Sequence, residues 1–178
     1  MNRYKIYFLI IIFVIGSKIG IAQTTGSKNV SISLNEVMIM DIEPVISKNL
    51  VMNFTVPTQA GNPIAIPANN TALWLNYTSA LASGSRHITA RISATIPGVD
   101  IKLTAGAATG IGAGTRGVST GQKILTTTNQ TIISGIGGAF TGNGSSNGHQ
   151  LIYTLGINNY TQLIKTNTSI TVTYTISN

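Results

Sequence analysis

His87, His149, Glu36, Asp41, Glu43 and Asp100 supply every imidazole and carboxylate in this 178-residue chain, and there is no cysteine. That inventory is thin for catalysis. Glycoside hydrolysis needs two carboxyl groups, one of them held protonated in an apolar pocket, and no spacing here points to such a pair. Glu36, Asp41 and Glu43 are close enough in sequence to offer oxygens to Ca²⁺, which takes six to eight. No D-x-D-x-D-G loop accompanies them, so they read as the solvated ends of a strand carrying Val37 and Ile39. His149 follows a Gly/Asn/Ser loop and reads as a solvated loop histidine. Ser145 and Ser146 lie nearby, but no G-x-S-x-G elbow presents a nucleophile to it. The expectation is a protein without catalysis, metal or cofactor.

One motif looks like cofactor binding and is not. Gly112-Ala113-Gly114-Thr115-Arg116-Gly117 spells G-x-G-x-x-G. That fingerprint works only where a helix N-terminus follows to hold the pyrophosphate. Val118–Thr128 has no helical pattern, so the match belongs to a glycine-rich turn.

Two aromatic residues could stack on sugar rings, Trp74 and Tyr160. Trp74 is the only tryptophan. Buried rings dominate core energetics, so core packing is the plainer expectation for it.

The elements that position these residues read as strands. β-branched residues are abundant, good helix formers are few, and period-2 alternation recurs. Val30, Ile32 and Leu34 form one apolar row, and Leu50, Met52, Phe54 and Val56 another. Further rows run Ile88–Ala94, Val99–Leu103, Leu151–Ile157 and Ile170–Ile176, and residues 73–81 are assigned to a strand. Only Tyr160, Leu163 and Ile164 have helical spacing, enough for one turn. Gly/Pro/Asn turns separate the rows. The pattern predicts an all-β fold, an antiparallel β-sandwich of immunoglobulin-like or pilin-like type. A membrane-spanning barrel is disfavoured, because the rows run 5–8 residues where a crossing strand needs about 9–11, and no aromatic girdles appear.

The first 22 residues concern destination. Arg3 and Lys5 precede ten apolar residues, Ile6–Ile15, and Gly20 and Ala22 stand before Gln23. This is a basic, apolar and small-residue sequence of the kind a signal peptidase reads, and it is too short to span a bilayer. The expected organisation is a signal peptide, 1–22, followed by a single β-sandwich domain, 23–178, working in the periplasm, at the cell surface or in the medium. The mature chain then has no membrane span. Of eleven bases, Arg3, Lys5 and Lys18 leave with the signal, so eight face four acids and the net charge falls from +7 to +4. The eight are dispersed, so no nucleic-acid footprint forms. The residual basicity suits solubility, or contact with an anionic surface polysaccharide.

The signal, the strand Asn29–Leu34, the Leu75-Asn76-Tyr77-Thr78 and Arg86-His87-Ile88 stretches, a glycine-rich turn and the terminal Ile170–Ile176 row together have a family likeness. The chain resembles secreted pilin-like sandwiches of the spore-coat-protein-U type. The cysteine pairs those families often carry are absent. The resemblance implies a non-catalytic structural or adhesive subunit of a surface fibre or coat, with self-assembly or a periplasmic chaperone and usher as its expected partners. Val30, Ile32 and Leu34 are then the candidate donor strand, lent to another subunit. The alternative is a carbohydrate-binding β-sandwich module using Trp74 or Tyr160.

Overall fold

The computed structural model describes residues 25–178, so the expected export signal lies outside the described residues. The chain divides at Leu34/Asn35. Residues 25–34 are without regular secondary structure.

Asn35–Asn178 is an antiparallel, sandwich-like β fold. Its strands are β1 (Val37–Glu43), β2 (Asn70–Ala80), β3 (Arg86–Ile92), β4 (Val99–Thr109), β5 (Ala113–Ser119), β6 (Lys123–Ile124), β7 (Gln130–Phe140), β8 (Gly148–Ile157) and β9 (Val172–Ser177). One arm of the sheet runs β6-β4-β8-β2-β1 and the other β9-β3-β7-β5. They join where Thr78 and Ser79, late in β2, pair with Phe140 and Ala139 at the end of β7. Leu73, Leu75, Tyr77, Leu103 and Leu151 of the first arm meet Ile88, Ile92, Ile132, Ile133 and Ile136 of the second in one buried cluster. Each arm alone would leave an apolar face in water, and packing the two together removes both.

Four of the expected rows become strands in this fold, and residues 73–81 fall largely within β2. The single helical turn appears as a 3₁₀ turn at Tyr160–Gln162. Two rows do not become strands. Val30, Ile32 and Leu34 belong to no strand, and their side chains are 78%, 89% and 83% exposed. Leu50–Val56 is extended but makes only one bridge, Thr55 to Ala65. Leu50 and Met52 nevertheless pack against the core. Alternation requires only that one side of an extended chain face an apolar surface, and this segment meets that requirement without a ladder. Prolines at 57, 63 and 67 remove donors from the chain that follows.

The expected strand lengths are also corrected, since β2, β4 and β7 have eleven residues each. Length therefore does not argue against a spanning barrel. The side-chain distribution does: the interior is filled with Leu, Ile and Tyr, while Arg91, Thr173 and Thr175 face solvent. A spanning barrel carries the reverse arrangement.

β7 shows no clean alternation in sequence because it is bulged. Ile133 opposes Ile88 while Thr131 opposes Thr89, and Ile136 opposes Arg86. The extra residues let Ile132, Ile133 and Ile136 all face inward, with Gly135 taking φ +72° between them.

Candidate functional site

The carboxylates are dispersed. Glu36 pairs with the guanidinium of Arg86, which is almost wholly buried and also donates to Val37 O, Ser79 Oγ and Asn178 Oδ1. Asp41 accepts from Lys48 Nζ at 2.8 Å, and that bond, with one from its neighbour's backbone N–H, holds its carboxyl below the usual range. Glu43 accepts from Val45 N at 3.0 Å, and Asp100 from Asn158 Nδ2 at 2.6 Å. Among the described residues no three His, Asp or Glu side chains converge on a common point. His87 Nε2 lies 3.1 Å from Ser177 Oγ.

His149 is not the solvated loop residue its neighbours suggest. It is fully buried, and its ring stacks on Tyr77 with centroids 5.9 Å apart. Nδ1 stands 2.7 Å from Gly106 O, an atom that only accepts, so the proton is on Nδ1. Nε2, then an acceptor, lies 3.1 Å from Tyr77 Oη, whose single hydroxyl proton stands within reach of both Nε2 and Arg116 O. Burial is the main cause lowering the imidazole pKa, and the two carbonyl contacts oppose it in part. Burial likewise drives the Tyr77 phenol upward. The neutral pair ties β2, β4, β5 and β8 together, out of reach of any substrate. No backbone space is spare beside it: Gly148 has φ +76°, and a Cβ there would stand 2.2 Å from Leu75 O.

A hollow opens on the opposite face of β2. Register places Ile39, Thr78, Phe140 and Ala113 side by side across β1, β2, β7 and β5, all four exposed. At about 4.8 Å between strands, the row is roughly 14 Å wide. The β7–β8 loop walls one end. Thr141 Oγ1 accepts from Tyr77 N at 2.9 Å, and Asn147 Nδ2 donates to Asn143 O at 2.8 Å. The resulting cavity of about 290 Å³ is lined by Ile39, Asp41, Asn76, Thr78, Phe140 and Asn143, among others.

Asn76 is the unusual member. It is 5% exposed, and its Nδ2 donates to Asn147 O at 2.7 Å. That carbonyl can only accept, so the orientation of the carboxamide is fixed and Oδ1 is the atom left over. Asn76 Oδ1 has no protein partner. An unpaired buried acceptor costs about 1–3 kcal/mol.

The residues expected to bind sugar are elsewhere. Trp74 is half-buried and absent from the core cluster, which corrects its expected core position. It lies on the outer face because Leu73 and Leu75 on either side face inward. Tyr160 is 54% exposed in its 3₁₀ turn. Trp74 stands in β2 and Tyr160 in the 3₁₀ turn between β8 and β9. Sequence reasoning missed Asn76, Phe140 and Asn143. Their one legible signal is an aromatic residue beside a Gly/Asn loop, and only strand register links them to β1.

No protein-family model, curated protein or solved structure matches this chain.

Proposed function

We infer that this protein is a secreted, non-catalytic surface protein, a structural or adhesive subunit of a fibre or coat. The observation that supports this reading best is the exposed row Val30, Ile32 and Leu34, held in no strand and placed ahead of a sandwich-like fold. Fully exposed alternating side chains gain about 25 cal/mol for each Å² of apolar surface they bury. An edge strand of a second copy offers a row of unpaired main-chain groups to which an extended segment can add. β1 and β9 each pair along one side only. Such a head-to-tail contact does not close on itself, so repetition builds a filament.

Deleting residues 23–35 from the mature protein tests the reading by sizing chromatography. The full protein is expected to form a ladder of oligomers. The deletion variant is expected to run as a folded monomer with unchanged β circular dichroism. A strictly monomeric full protein would overturn the assembly reading.

A further inference from the structure

We propose that the outer-face hollow between β1, β2 and the β7–β8 loop binds a single neutral pyranose sugar. This names a ligand class for the surface protein inferred above, and it stands on residues separate from the assembly segment.

Two kinds of surface meet there. Phe140, 46% exposed, and Ile39, 65% exposed, are the large apolar members of the cross-strand row. An aromatic face beside an aliphatic side chain suits the C–H face of a pyranose ring. Asp41 and Asn143, both exposed, stand in the same lining with hydrogen-bonding groups for hydroxyls. Sugar hydroxyls donate as well as accept, so they match this mixed set.

Charge and size narrow the class. The Asp41 carboxylate is already matched by Lys48, so the site presents a closed ion pair and no surplus charge for an anionic or cationic ligand. The cavity of about 290 Å³ lies at the small end of ligand sites, which run from about 300 to 1,000 Å³. One ring fits that volume better than an extended chain. The floor is preorganised, because Asn76 is tied to Asn147 O and the loop is pinned to β2 through Thr141.

Saturation-transfer difference NMR on the full mature protein tests this, using the methyl glycosides of glucose, galactose, mannose, fucose and N-acetylglucosamine. The signal is read on the sugar, so the measurement works for a monomer or a polymer, and the two readings fail independently. At least one glycoside is expected to show saturable transfer, strongest at its C–H protons. Phe140→Ala and Asn143→Ala change exposed side chains, and each should weaken binding about tenfold or more. Trp74→Phe and Tyr160→Ala should leave it unchanged. No transfer to any of the five, or transfer that survives both Phe140→Ala and Asn143→Ala, overturns the proposal. Transfer lost only with Trp74→Phe or Tyr160→Ala overturns it too and moves the site to those rings.

Discussion

His149 shows how much one buried side chain can be asked to do. Its ring has no solvent contact, and its Nδ1 proton is committed to Gly106 O. Folding therefore holds it neutral, with a pKa below the ordinary value of about 6.5, chiefly through burial. The sign follows directly. Below about pH 6.5 the unfolded chain takes up a proton that the folded chain refuses, so stability falls with falling pH until the folded pKa is reached. The limit for one proton is about 1.4 kcal/mol per pH unit. Thermal midpoints between pH 7.5 and 5 should decline in the native protein and decline less in His149→Gln, whose amide keeps a donor. Equal slopes in the two proteins would mean the imidazole takes up its proton freely in the folded state. Among the charged and polar groups around it, Tyr77 and the backbone of Gly106 and Arg116 make the direct contacts.

At the scale of elements, alternation identified surfaces rather than ladders. Leu50–Phe54 and Ile132–Ile136 make the contrast. The first alternates cleanly and pairs at one point, whereas the second alternates poorly and is the buried centre of an arm. The bulges in β7 account for the second case, since each extra residue shifts the inward set by one. Ile136 is fully buried, so Ile136→Ala should cost about 2–5 kcal/mol in urea unfolding. Phe54 is half-buried and outside the core cluster, so Phe54→Ala should cost clearly less, although its ring is larger. Equal costs at the two positions would place Phe54 in the core after all. β5 was invisible for another reason. Ala113-Gly114-Thr115-Arg116-Gly117 has almost no apolar side chain to alternate, and the strand exists through its pairing with β7.

For the whole molecule, the expected export signal carries a direct consequence. Mature protein collected from the cell surface or the medium should begin at Gln23, and intact-mass measurement reads this to the residue. Retention of Met1–Ala22 would defeat the extracytoplasmic reading and, with it, the surface role. The same material serves for sizing, which addresses assembly, and for sugar titration, which addresses recognition.

All-β character was legible in the chain because period-2 alternation, β-branched composition and Gly/Pro/Asn turns are local properties, readable a few residues at a time. The 3₁₀ turn at Tyr160–Gln162 was legible on local spacing as well. Register was decided only by tertiary structure. Which strand lies beside which depends on the joint burial of two arms, and it is that packing which sets Thr78 next to Phe140 and Ile39. The hollow around Asn76 therefore has no local signature, since its residues lie in three separate stretches of the chain. The burial of His149 was hidden for the same reason: its Gly/Asn/Ser neighbours on one side read as loop, while Tyr77, Gly106 and Arg116, which enclose it, arrive from distant strands.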